Sequence, residues 1–253
     1  MIRFGRGAFG VFSILLMLGC SSAGFKPRAE STAYKRWFLD QAGIKCSDCV
    51  VGYAMASYYQ SSSAESALRD AAFQYARSHF THFEGGQAFW STEIGRIWMG
   101  NNFTEEFDST LVEEAMEFLQ PVDSMLTENL VAYLYAPGQL ELSGGMKAMV
   151  DIKLGSPPGW IKNVPDDPGY YYATGVAQST YYEASAWVEA EKMARKNLAG
   201  SIHITIQSLN KENWETQEIQ NQEISVILQG LEIAGRWKEP GTNFYHVLIR
   251  MPE

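Results

Sequence analysis

The chain has 253 residues and a formal net charge of −9 at pH 7, with 46% hydrophobic and 13% aromatic residues. This composition predicts a folded protein with a hydrophobic core rather than a disordered chain. The acidic balance argues against nucleic acid and anionic lipid headgroups as partners, because both are attracted to basic patches.

Residues 1–19 predict a secretory signal peptide with a lipoprotein cleavage site. Arg3 and Arg6 precede eleven mostly apolar residues, 8–18, which are too few to span a bilayer. In an ordinary signal peptide, Cys20 would have no special role. A cysteine that follows a small residue at this point is typical of bacterial lipoproteins, so we predict that Cys20 is lipidated.

A lipid on Cys20 predicts attachment to a membrane, because two or more acyl chains together anchor a protein stably. Ser21 follows the cysteine where an aspartate could stand, which resembles lipoproteins sorted to the outer membrane. We therefore expect a protein at the periplasmic face of the outer membrane, with residues 20–45 as a tether. Cleavage removes Arg3 and Arg6 and no acidic residue, so the formal charge changes from −9 to −11.

Cys46 and Cys49 are the remaining cysteines, and they lie three residues apart. In an oxidising compartment, such a pair most often forms a local disulfide, whose short loop gives little entropic stabilisation. A catalytic redox pair is the alternative. Residues 50–54 predict a strand, however, so no helix N-terminus follows the pair to lower the pKa of a thiol.

Residues 46–137 predict a first module. A strand is predicted at 50–54, and residues 67–80 place apolar side chains at the three- and four-residue spacings of a helix. A second helix is predicted at 104–119. Residues 130–136 alternate between the two faces of a strand and stop at a proline.

His79, His82 and Glu84 lie close together in the sequence at the end of the first main helix. Such residues could bind a metal ion, but a pair of histidines without a clear third ligand is common by chance. We predict no metal site and no cofactor. The chain also lacks a serine nucleophile motif and a phosphate-binding glycine motif, so we predict that it has no catalytic residues and is not an enzyme.

Residues 169–253 predict a second module that repeats parts of the first. Residues 52–60 are echoed by 175–183, and an alanine-rich helix that reaches an Ala-Arg pair follows each of them. The arginines are Arg77 and Arg195, and the second spacing is shorter by five residues, which a longer loop in the first copy could absorb. We attribute both arginines to helix ends, where a cation complements the helix dipole.

The periodicity of the second module is the clearer of the two. On its helix, Glu191 and Arg195 lie four residues apart, which predicts a weak ion pair between them. The predicted elements, in chain order, are a strand at 170–177, a helix at 183–199 that stops at Gly200, a strand at 202–206, a run at 224–237 with a bend or bulge at Gly230, and a strand at 244–251.

Together these elements predict an α+β fold of two tandem related modules, each with one main helix packed on a mostly antiparallel sheet. Two copies separated by such a distance indicate a domain duplication rather than a solenoid. Residues 138–168 predict a linker between the modules, with a strand within 146–154.

The second module resembles the LPP-twenty family of bacterial lipoproteins, and the first module resembles it more faintly. The resemblance covers residues 157–252 and lies in the Pro-Gly-Trp run at 158–160, the strand at 172–177, the helix at 190–198 and the closing strand at 243–248. It implies an envelope lipoprotein without a catalytic signature. Some members are surface antigens, and relatives assemble into rings or disks around the flagellar motor.

The leading functional hypothesis is a lipid-anchored, non-enzymatic component that helps assemble the envelope. Its expected partners are the membrane, through the lipid, and envelope proteins or further copies of itself. One alternative is a module that binds a small ligand or cell-wall glycan in an aromatic cleft between the copies. Another is a thiol-disulfide protein that uses Cys46 and Cys49.

Overall fold

The computed structural model describes residues 33–46, 48–56, 60–92, 95–179, 181–210 and 222–253, which belong to one compact unit. The fold is α+β, as predicted. The strands are β1 (Ala33–Lys35), β2 (Val50–Met55), β3 (Thr81–Thr92), β4 (Gly95–Phe107), β5 (Gln120–Leu126), β6 (Leu130–Ala136), β7 (Met149–Asp151), β8 (Tyr170–Gln178), β9 (Gln222–Leu228), β10 (Glu232–Lys238) and β11 (Phe244–Pro252). The helices are α1 (Arg36–Leu39), α2 (Gln60–His79), α3 (Thr110–Phe118), α4 (Gly144–Lys147) and α5 (Glu183–Asn210).

Two three-stranded antiparallel sheets have the same strand order. The first is β2–β6–β5 and the second is β8–β11–β10, so in each sheet the last strand of the module lies at the centre beside its first strand. Helix α2 packs on the first sheet and α5 on the second. Each half of the chain, residues 46–137 and residues 169–253, therefore has the predicted main helix on an antiparallel sheet. The duplication itself stays a prediction.

A glycine in the first strand of each sheet lets the helix come close. A Cβ atom added at Gly52 would lie 1.8 Å from the carbonyl oxygen of Ala67, and one at Gly175 would lie 2.0 Å from that of Ala190. Only glycine fits such an approach. Gly52 precedes Ala67 by the same number of residues as Gly175 precedes Ala190. These parts of the two helices therefore correspond without the predicted five-residue difference.

The third sheet, β4–β3–β9, joins the two halves. Strand β9, from the second half, pairs antiparallel with β3, from the first, with Phe83 opposite Val226 and Thr81 opposite Leu228. The prediction of one continuous alternating segment at 224–237 is wrong, because β9 and β10 belong to different sheets. Gly230 lies between them with a φ of 69°, a left-handed conformation that glycine adopts without strain.

Helix α5 is longer than predicted and includes the residues expected to form a strand at 202–206. The predicted stop at Gly200 is also wrong. Trp187, Ala190, Ala194 and Leu198 are buried along one face, and the partly buried Ile202 continues the same four-residue spacing. This helical stripe outweighs the period of two formed by the isoleucines.

The predicted tether ends before Ala33. Strand β1 pairs antiparallel with β7, and Tyr34, Trp37 and Phe38 are completely buried in the main core. Burial of three large aromatic side chains holds this segment in the fold. The residues from 33 to 45 are therefore part of the folded unit, and the predicted linker supplies their partner strand.

Candidate functional site

Arg236 on β10 is the centre of a buried polar cluster between the two halves. It is 1% exposed, and its Nε donates to the hydroxyl of Tyr53 on β2. Nη1 donates to Gln41 Oε1 at 2.7 Å and to the Phe38 carbonyl oxygen at 3.3 Å, and Nη2 donates to Glu191 Oε1 at 3.0 Å. One guanidinium thus joins the N-terminal segment, residues 33–45, to the first sheet and to helix α5.

Tyr53 and Glu191 complete this cluster. The Tyr53 hydroxyl donates to Glu191 Oε1 at 2.5 Å, and burial raises the pKa of Tyr53 well above its ordinary value despite the nearby Arg236. The phenol therefore stays protonated and serves as a donor. Glu191 Oε1 accepts from both Tyr53 and Arg236, while its buried Oε2 has no hydrogen-bond partner among the described residues.

Glu105 on β4 forms ion pairs with two further arginines. Arg195 Nε donates to Glu105 Oε1 at 2.6 Å, and Arg77 Nε lies 3.8 Å from the same oxygen. The predicted ion pair between Glu191 and Arg195 is wrong, because each of them pairs with a residue of another element. The predicted helix-end role of Arg195 is also wrong, because α5 continues for fifteen residues beyond it.

The N-terminal segment also bonds to both halves. The Tyr34 hydroxyl donates to Glu183 Oε1 at 2.6 Å on α5. Lys35 Nζ and Trp37 Nε1 donate to the carboxylate of Asp123 on β5, at 2.7 and 2.9 Å from its nearest oxygens. The side chains of this segment therefore connect the second half to the first.

A cavity of about 270 Å³ opens beside the Arg236 cluster. Its walls come from the segment around Cys46, from β2, α2 and α5, and from β10 and β11. Five cations and one carboxylate contribute to its lining: Lys45, Arg77, Arg195, Arg236, Arg250 and Glu232. An acidic chain thus contains a cavity whose charged side chains are mostly basic.

Two residues on one face of α2, Gln74 and Arg77, line this cavity. Gln74 Nε2 and Arg77 Nε are buried, and neither has a hydrogen-bond partner among the described residues. Gln74 is 7% exposed. Sequence reasoning missed Gln74, as it missed Gln41, Tyr53 and Arg236, because nothing in their spacing marks them. The only signal was a lone arginine within an apolar strand.

Cys46 and Cys49 form a disulfide, with their Cα atoms 5.4 Å apart. Strand β2 begins at Val50, directly after the pair, as the sequence predicts. No helix N-terminus therefore follows the sulfurs to favour a thiolate. The disulfide forms part of the cavity wall.

The two histidines, His79 at the end of α2 and His82 on β3, contact different partners. His79 Nε2 lies 3.7 Å from Asp48 Oδ1, while His82 Nε2 lies 3.0 Å from the hydroxyl of Ser225 on β9. Within the described ranges, no group of three or more His, Cys, Asp and Glu residues could hold a metal ion.

The predicted signal peptide and Cys20 lie outside the described residues. None of the described helices is long and apolar enough to cross a membrane. No family model, curated protein or solved structure matches this chain. The resemblance to the LPP-twenty family therefore stays a prediction.

Proposed function

We propose that this protein is a lipid-anchored, non-enzymatic component of the bacterial envelope that acts by binding other envelope proteins. In this proposal, lipid on Cys20 holds the chain at the periplasmic face of the outer membrane. The folded unit then presents a binding surface to its partners. The observation that supports this proposal best is an exposed apolar patch at one end of the second sheet.

The patch consists of Val176 on β8, Phe244 and His246 on β11, and Tyr181 and Tyr182 after β8. Val176 lies opposite His246 in the sheet, so Val176, His246 and Phe244 share one face. Val176 and Phe244 are 44% and 39% exposed, and the two tyrosines are 88% and 55% exposed. Val176 and Phe244 thus project from one face of the sheet, and the two exposed tyrosines follow β8 in the chain.

Such a patch suits a protein partner. Single exposed apolar residues are normal on a protein surface, but adjacent ones mark interaction sites, and aromatic residues are enriched at interfaces. Burial lowers the pKa of His246, so its imidazole is uncharged at neutral pH and adds no charge to the patch. The surface therefore loses little by desolvation when a partner covers it.

Cross-linking in cells tests the patch. A photoreactive residue placed at Tyr181 of the full chain should form a cross-link to an envelope protein or to a second copy. The substitutions Val176→Glu and Phe244→Glu should abolish that cross-link, because a partner would have to bury an unpaired carboxylate. Mass spectrometry of the cross-linked species identifies the partner.

Leu154→Glu is the matched control. Leu154 is 88% exposed but follows β7 instead of lying on β8 or β11. This variant should keep the cross-link. Loss of the cross-link in all three variants, or its survival in both patch variants, would contradict an interface at the patch.

The anchor has a separate test. Mass spectrometry of the mature N-terminus should show an acylated Cys20, and Cys20→Ala should release the folded protein from the membrane fraction. An intact N-terminal methionine on a soluble protein would contradict the proposed anchor.

The aromatic side chains at the centre of the second half pack on one another in the core. Trp187 makes edge contacts with Phe38 and with Tyr245, at centroid distances of 5.3 and 4.9 Å. Trp187 and Phe38 are completely buried, so this group offers no open platform on which a glycan could stack.

A further inference from the structure

The cavity beside the disulfide has no role in the proposed function. It lies away from the patch residues, on the side where the segment around Cys46 meets α2 and β10. Its volume of about 270 Å³ is just below the range of about 300 to 1,000 Å³ that holds drug-sized ligands. A small metabolite would fit inside it.

Most of the cations in its wall already have carboxylate partners. Arg236 pairs with Glu191, Arg195 with Glu105, and Arg250 Nη2 with Glu232 at 2.6 Å. Three of the five cations are therefore fixed in place by ion pairs.

Arg77 is held less completely. Its Nε is 3.8 Å from Glu105 Oε1, which is beyond hydrogen-bond distance, and Glu105 is already taken by Arg195. Its guanidinium carbon lies 4.8 Å from the centre of the Phe107 ring, and this cation–π contact helps to fix the side chain.

Gln74 lies three residues before Arg77, so both side chains occupy one face of α2. Its Nε2 is buried without a hydrogen-bond partner among the residues that the structure describes. A buried donor that has given up its bonds to water costs free energy until an acceptor reaches it. An amide donor beside a guanidinium donor is suited to the oxygens of an anion.

Another part of the wall is apolar. Val51 on β2, Ile233 on β10 and Ile249 on β11 line it. A ligand that fills the cavity would therefore place an apolar body against these side chains, with its acidic group at the donors of α2.

We propose that this cavity binds a small organic anion whose carboxylate or phosphate oxygens accept hydrogen bonds from Gln74 and Arg77. The apolar part of the ligand lies against Val51, Ile233 and Ile249. This site is separate from the exposed patch, so it holds whether or not the patch binds a protein.

Calorimetric titration of the full mature chain tests the proposal with three probes at matched ionic strength. Hexanoate and hexyl phosphate carry the two candidate acidic groups on the same short apolar chain, and hexanol carries neither. Saturable binding of either anion, with no binding of hexanol, supports the site and shows which acidic group it prefers. Equal binding of hexanol, or no binding of either anion, would overturn it.

Two cavity variants and one control locate the binding. Arg77→Gln and Gln74→Leu should each weaken the binding of the anion about tenfold or more, through loss of a donor to a charged group. Arg69→Gln changes an exposed arginine on the same helix outside the cavity, and it should bind as the native chain does. Unchanged affinity in both cavity variants would contradict the assignment.

An observation on the native chain keeps the test independent of how the variants fold. The side-chain amide signals of Gln74 in NMR spectra should shift on titration with the bound anion. Signals that stay in place while the anion binds would show that it binds elsewhere.

Discussion

Arg236 is the residue on which the centre of the molecule depends most. Its guanidinium contacts Phe38, Gln41, Tyr53 and Glu191, which come from three separate parts of the chain. Buried ion pairs contribute little compared with apolar replacements, but removal of one partner leaves the other charged and unpaired. A substitution of Arg236 therefore lowers stability mainly because the charge of Glu191 is left buried and unpaired.

We expect Arg236→Met to lower the free energy of unfolding by about 3 to 5 kcal/mol. Urea unfolding followed by tryptophan fluorescence measures this change. The double variant Arg236→Met with Glu191→Leu should recover part of the loss, because no unpaired charge stays buried. Arg250→Met is the matched control, and loss of its partly exposed pair with Glu232 should cost about 1 kcal/mol.

Asp70 gives the molecule a pH-dependent stability. Burial raises the pKa of its carboxyl from 3.8 to about 7, although the hydrogen bond from the Tyr53 N–H at 2.9 Å opposes the rise. The charge of Glu191 adds to the rise, while those of Arg77 and Arg195 reduce it. The folded chain therefore keeps a proton that the unfolded chain releases.

Between about pH 4 and about pH 7, the free energy of unfolding should therefore fall as pH rises, through the contribution of Asp70. Asp70→Asn removes this titration, so its stability relative to the native chain should rise across the same window by on the order of 4 kcal/mol. Urea unfolding at a series of pH values measures the difference. Glu113→Gln, on the exposed side of α3, is the control, and parallel curves for the native chain and Asp70→Asn would refute the prediction.

At the scale of elements, the closest contact is that between each main helix and the first strand of its sheet. Gly175→Ala would place a methyl group 2.0 Å from the carbonyl oxygen of Ala190, so the strand and α5 would have to separate. We expect a loss of more than about 3 kcal/mol, from overpacking against backbone. Thermal unfolding by circular dichroism measures it.

Gly200→Ala is the control for that substitution, because Gly200 lies within α5 and has nothing within 4 Å of the added carbon. An alanine inside a helix is favoured over glycine by about 0.5 to 1 kcal/mol, so this variant should be more stable than the native chain. A destabilised Gly200→Ala would show that the helix ends where the sequence alone suggested.

The sequence predicts most elements where local periodicity and burial agree. Strands β2, β6, β8 and β11 lie where alternation and aromatic content place them, and α2 follows its apolar stripe. The strand expected at 202–206 fails because Ile202 also fits the helical stripe of α5, and only tertiary packing chooses between the two periods. The helix expected at 104–119 begins only at Thr110, because β3 draws the preceding residues into β4.

The candidate site was harder to predict than the fold. Gln74, Arg77 and Arg236 come from α2 and β10, and the contact between these elements depends on how the two halves pack. A pairing such as Arg195 with Glu105, 90 residues apart, leaves no periodic trace in the sequence. The nearer pairing with Glu191 was the reasonable expectation, and it was wrong because Glu105 on β4 reaches Arg195 and Arg236 on β10 reaches Glu191.

At the scale of the whole molecule, the two halves form one cooperative unit. Strand β9 completes a sheet of the first half, Tyr34 bonds to Glu183 of the second half, and Arg236 joins both. We expect residues 46–137 alone to remain unfolded, because Phe83 and Tyr53 would lose their partners. Circular dichroism and NMR of this fragment test the expectation, and a cooperative thermal transition in it would contradict a shared unit.

The pairing of β3 with β9 also sets the order in which the molecule can be completed. Synthesis runs from the N-terminus, so β3 emerges long before residues 222–228 are available to pair with it. Until then, one margin of that sheet carries free backbone groups that could capture a strand from a neighbouring chain. A chaperone that shields this margin should raise the yield of folded protein most when it is present during synthesis.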